Sequence, residues 1–185
     1  MLNAANMATY CRVLLVPIIV VVYYSGFAHS QLVAAILFTI ASLTDWLDGY
    51  LARRLNQTSP FGAFLDPVAD KLLVVMALVL LTAIYPSVWF VVPTAIIIGR
   101  EVFVSALREW MASNNQRDAV AVGYIGKVKT TVQMIAIIVL LAYTPQWPQF
   151  FLQTGYALIY LSAALSIWSM AQYLIKALPV LMSKQ

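Results

Sequence analysis

The chain has 185 residues, of which 63% are hydrophobic and 10% charged, with a formal net charge of +4. A soluble domain is about half apolar and a quarter charged, so this composition excludes an ordinary globular core. The apolar residues form continuous runs such as Val13–Val22 and Leu72–Leu81, without the alternation of barrel strands, so the chain must cross a bilayer as helices.

In chain order, six membrane helices are expected at about 8–26, 31–54, 61–84, 87–113, 120–143 and 149–176, each long enough to span about 30 Å of hydrocarbon. The first apolar run follows Arg12 and ends in no small-residue cleavage site, so it is expected to remain as a signal anchor. The connections Ser25–Ser30, Tyr85–Ser87 and Thr144–Pro148 carry no Lys or Arg. Arg12, Arg53, Arg54, Arg108, Arg117, Lys127, Lys129, Lys176 and Lys184 fall on the other side, while Lys71 and Arg100 lie deeper. The positive-inside rule then places both termini and the second and fourth loops in the cytoplasm. Topology thereby accounts for the positive charge, and no nucleic acid is expected as a partner. Cys11 excludes an intramolecular disulfide and reads as a small helix side chain. Trp89, Trp110, Trp147 and Trp168 near expected helix ends read as interfacial belts. With no repeat, low-complexity tract or long linker, residues 1–185 read as one integral-membrane domain, an all-α bundle of about six transmembrane helices.

The seven acidic residues are Asp45, Asp48, Asp66, Asp70, Glu101, Glu109 and Asp118, and the first four fall within 26 residues. Asp45 and Asp48 are spaced i, i+3, and Asp66 and Asp70 i, i+4, so each pair shares a helix face. A turn over Asn56–Pro60 would bring the two acidic faces together across an antiparallel helix pair. Four carboxylates near a low-dielectric region repel one another unless they protonate or cations neutralise them. All-oxygen donors suit hard divalent ions, Mg²⁺ or Mn²⁺, and the only histidine, His29, is expected on the far side. Four aspartates suffice for two metals about 3.5–4 Å apart, an arrangement that clamps phosphoryl oxygens during in-line displacement. Helix caps or interfacial ion pairs are the structural alternative, but a charge buried in lipid is functional by default, and four on two facing stripes favour function more strongly still. Gly49, Ala52 and Gly62 leave room for a ligand beside the backbone, although small residues also mark close helix packing. Arg53, one turn beyond Gly49, is placed to reach a diphosphate.

Asp45-Trp-Leu-Asp48-Gly49-Tyr-Leu-Ala52-Arg53, eight residues, then Gly62-Ala-Phe-Leu-Asp66-Pro-Val-Ala-Asp70 resembles the CDP-alcohol phosphotransferase signature D-x2-D-G-x2-A-R-x8-G-x3-D-x3-D at every fixed position. Six helices and a cytosolic N-terminus extend the resemblance to the whole chain. Thr9-x-x-Arg12, Gly99-Arg100-Glu101, Ser105-Ala-Leu-Arg108-Glu-Trp and Gly126-Lys127-Val-Lys129-Thr-Thr resemble the bacterial branch that forms phosphatidylglycerophosphate. One departure is Asn3-Ala-Ala-Asn-Met-Ala-Thr, which lacks the proline often found there.

The resemblance implies that Asp45, Asp48 and Asp66 bind two divalent cations with help from Asp70, and that Asp70 is the general base. It implies a CDP pocket of Asp45, Asp48, Gly49, Ala52, Arg53 and Gly62. CDP-diacylglycerol and glycerol 3-phosphate are the implied substrates, with membrane lipids as surroundings, a homodimer as the assembly and the bacterial cytoplasmic (inner) membrane as the location. An anionic acceptor needs cations, for which Arg100, Arg108 and Lys127 are the candidates. Anchoring to anionic headgroups is the competing reading of Arg108, Lys127 and Lys129. Lys71 either tunes Asp70 or snorkels. Inositol phosphate, serine and phosphatidylglycerol remain alternative acceptors under the same motif. A divalent-cation transporter would instead place its carboxylates at midplane within a symmetric repeat.

Overall fold

Six α-helices run through the described residues: α1 (Ala4–Tyr24), α2 (Ser30–Leu55), α3 (Pro60–Ile84), α4 (Val88–Ser113), α5 (Tyr124–Ala142) and α6 (Gln149–Met182). The computed structural model describes residues 4–55, 60–114, 116 and 124–182, with side chains described for 9–44, 65, 67–114, 116, 124–180 and 182. Helices α3 to α6 contain Pro67–Ile84, Val88–Ser113, Tyr124–Ala142 and Gln149–Val180, four stretches long and apolar enough to cross a bilayer. The described apolar stretches of α1 and α2, Thr9–Tyr24 and Ser30–Thr44, are shorter. The chain is an all-α, multi-pass membrane protein.

Helix α1 begins at Ala4, earlier than expected, and α6 runs to Met182, six residues past the expected 176. No glycine or proline interrupts residues 156–178, and Pro179 is accommodated inside the helix. The 34 residues of α6 reach about 50 Å, well beyond a hydrocarbon core of about 30 Å. Trp168 consequently lies within α6 and not at its end, about 28 Å along the axis from Gln149, one bilayer thickness away. The α1–α2 turn is closed by Gly26 at φ 74, a left-handed conformation glycine adopts without a Cβ penalty. Just before it, Ser25 Oγ donates to the Val22 carbonyl at 2.6 Å. The expected helical residues 120–123 lie outside the described residues.

The chain forms two compact units, Met1–Tyr85 with Ile137–Gly155, and Pro86–Ala136 with Tyr156–Gln185. In the first, the buried face of α1 carries Thr9, Arg12, Val16 and Ile19, spaced three or four apart as one helical stripe requires. It packs against α2 and α3, where Phe38, Leu73 and Ala77 line one small cavity with Val16 and Ile19; Ala34, Ala35 and Ala41 of α2 and Ala69 of α3 are buried as well. Small residues suit this contact because apolar side chains gain little by leaving lipid, and close backbone approach supplies the packing instead. Gly155 of α6 shows the same logic: a Cβ there would lie 2.5 Å from Leu140 Cδ2.

The second unit contains a polar seam. Ser162, Ser166, Ser169 and Tyr173 of α6 are buried at helical spacing, and Ser162 lies 3.4 Å from Gln133 of α5. Beyond it, Val104 and Met111 of α4 pack with Tyr173 and Ala177 of α6.

Candidate active site

The helix registers place the motif. On α2 the buried positions 34, 38 and 41 continue at the same spacing to positions 45 and 48. On α3, position 70 leads by single helical steps to the buried Val74, Ala77 and Leu81, and position 66 lies one turn earlier. By helical spacing alone, positions 45, 48, 66 and 70 fall in register with these stripes. Asp45, Asp48, Gly49, Ala52, Arg53, Gly62 and Asp66 lie on described helix backbone. Their side chains, and with them the expected convergence of four carboxylates, lie outside the described residues. So do residues 56–59 of the expected turn, Arg117, Asp118 and Lys184. Among the described residues, no three metal-capable side chains come together.

Asp70 is described. Its Oδ1 accepts a hydrogen bond at 2.6 Å from Nη1 of Arg12, across a separation of 58 residues. Arg12 is 1% exposed and Asp70 39%, so the cation is sealed within the helices while the carboxylate retains an open side. Lys71 is half-buried next to it.

In the second unit, Arg100 is buried in α4. Its Nη2 donates to Ser169 Oγ at 2.5 Å, its Nη1 lies 3.5 Å from Glu101 Oε1, and its guanidinium sits 5.7 Å from the Tyr173 ring centroid. The same Glu101 oxygen accepts from Lys129 of α5, whose side chain is 2% exposed. Two cations therefore share one carboxylate in a buried, hydrogen-bonded cluster. Lys129 does not anchor to headgroups. Lys127 and Arg108 are exposed, so of the three acceptor candidates only Arg100 joins this cluster.

A family model for CDP-alcohol phosphatidyltransferase matches residues 2–168. The chain belongs to this family. Its relatives include the CDP-diacylglycerol--glycerol-3-phosphate 3-phosphatidyltransferase of Salmonella choleraesuis strain SC-B67, 52% identical over 172 residues and covering 93% of both chains. The proteins of that name from Escherichia coli strain K12 and Shigella flexneri serotype 5b are each 50% identical over 172 residues, with the same coverage.

Two family-member side chains that motif reading passed over are Arg12 as the partner of Asp70 and Lys129 as the partner of Glu101. Both were visible in the register. Lys129 starts the stripe that runs through Gln133, Ala136 and Leu140, all buried, whereas Lys127 is off it. Arg12 stands on the stripe of Thr9, Val16 and Ile19.

Proposed function

We propose that this chain is an integral-membrane phosphatidyltransferase that moves the phosphatidyl group of CDP-diacylglycerol onto glycerol 3-phosphate, releasing CMP. The observation that carries the reading is the complete eight-position motif between Asp45 and Asp70, within a family match over residues 2–168. The names of relatives about 50% identical across nearly the whole chain support the same donor and acceptor.

A hydroxyl oxygen of the acceptor forms a bond to the phosphatidyl phosphorus as the P–O bond to CMP breaks, and CMP departs with the electron pair. An alcohol is a poor nucleophile at neutral pH, so Asp70 takes its proton as attack proceeds. Asp45, Asp48 and Asp66, with Asp70, are the residues suited to hold two divalent cations. Their all-oxygen donor set fits Mg²⁺ or Mn²⁺. Bound there, the metals supply charge neutralisation to the diphosphate and to departing CMP. Gly49, Ala52 and Gly62 leave space for the nucleotide, and Arg53 pairs with its phosphates. Arg100, Arg108 and Lys127 provide the cations for the acceptor phosphate; the two cations around Glu101 leave that neighbourhood positive. In this reading residues 1–185 act as one domain of a homodimer in the bacterial inner membrane. Termini and site face the cytoplasm, on the side where basic residues concentrate.

The test is CMP release by purified protein in detergent with CDP-diacylglycerol and Mg²⁺ or Mn²⁺, offering glycerol 3-phosphate, inositol phosphate, serine or no acceptor. The expected result is release with glycerol 3-phosphate alone, abolished by chelation and by Asp70→Asn. Release with another acceptor replaces the substrate assignment. No release from folded, metal-binding protein rejects the transferase reading.

A further inference from the structure

We propose that Arg12 is a positioning residue for proton removal, fixing the carboxylate plane of Asp70; this rests on the reading of Asp70 as the base. The torsion that turns an aspartate carboxylate is broad and roughly two-fold, so a carboxylate without a fixed partner samples many orientations. A general base must hold its accepting oxygen within hydrogen-bond reach of the hydroxyl it deprotonates. Here a planar guanidinium engages Oδ1 at 2.6 Å, and a rigid planar donor constrains orientation more tightly than an ammonium would.

A buried guanidinium needs an anionic partner, and Asp70 supplies one; a separation of kcat from KM distinguishes positioning from that structural role. Arg12 is 1% exposed, yet Asp70 keeps 39% of its side-chain surface. The cation is itself held by its helix, with Thr9, Val16 and Ile19 buried on the same face of α1. α1 thus acts as a fixed post for the carboxylate that, in the proposed reaction, takes the acceptor proton.

Arg12→Met keeps the aliphatic length and removes the charge. Asp70 keeps 39% of its side-chain surface, so breaking the pair does not strand a fully buried carboxylate. The expected outcome is a kcat lower by about 100-fold, the loss typical of misplacing a reacting group by about 1 Å. KM for either substrate should change by less than about threefold, since a transition-state interaction and not ground-state binding is lost. Mn²⁺ binding followed by electron paramagnetic resonance should match the unaltered protein. Arg12→Lys, which keeps the charge without the planar fork, should recover part of kcat. If Arg12→Met does not fold, Arg12→Lys carries the test through the same separation of kcat from KM.

An unchanged kcat, a rise in KM alone, a loss of Mn²⁺ binding, or a lysine variant no better than methionine would overturn the positioning role. Asp70→Asn runs in parallel. Full activity there removes the base reading itself, whereas an inactive Asp70→Asn beside a fully active Arg12→Met removes only the role of Arg12.

Discussion

Replacing Glu101 by glutamine tests whether the buried cluster of the second unit is held by charge balance. Glu101 is the carboxylate shared by Lys129 and Arg100, whose side chains are 2% and 9% exposed. Glu101→Gln keeps size and hydrogen-bonding atoms but leaves two buried cations facing each other. Breaking a buried pair by removing one partner costs about 3–5 kcal/mol. For a chain of this length each kcal/mol moves Tm by roughly 2–4 °C, so a fall of roughly 6–20 °C is expected. The assay is thermal unfolding of purified protein in detergent, followed by tryptophan fluorescence. Adding Lys129→Met to Glu101→Gln restores the original net charge, with Arg100 still bonded to Ser169 and beside Tyr173. The double variant should recover most of the lost Tm. A Glu101→Gln protein melting within about 2 °C of the unaltered one, less than 1 kcal/mol, would refute the reasoning. So would a double variant less stable than the single one.

Two further outcomes follow from the packing and the site. Gly155→Val pushes a side chain into the buried Leu140 and should cost about 1–3 kcal/mol by thermal unfolding; Leu140→Ala in the same chain should return part of it. Arg100→Met leaves Glu101 paired with Lys129 and should raise KM for glycerol 3-phosphate by roughly 10- to 100-fold, the worth of one charge-assisted hydrogen bond, with KM for CDP-diacylglycerol unchanged in steady-state kinetics.

The helices were legible because a bilayer demands long apolar runs and leaves turn residues, such as Gly26 and Pro86, to punctuate them. The overrun of α6 was not, since Lys176 and Pro179 look like stop signals, but a helix extending from the membrane tolerates both. The eight motif positions were legible as spacing alone. Partner choice was less accessible. Arg12 and Asp70 are 58 residues apart, and no local pattern joins residues on different helices. Register shows that Arg12 and Lys129 must be buried, and burial shows that each needs an anion. Which carboxylate answers is fixed only when α1 meets α3 and α4 meets α5. Motif and topology name Lys127 and not Lys129 as an acceptor candidate, whereas the helical face buries Lys129, which pairs with Glu101, and leaves Lys127 exposed.

The most direct measurement of the central claim follows label from glycerol 3-phosphate into lipid. Purified protein receives CDP-diacylglycerol, Mg²⁺ and labelled glycerol 3-phosphate, and both the organic-phase label and the CMP are quantified. Transfer predicts equal molar amounts of lipid-bound label and CMP, and neither product with Asp70→Asn. CMP accumulating while the label stays in the aqueous phase would identify hydrolysis and contradict the assigned reaction.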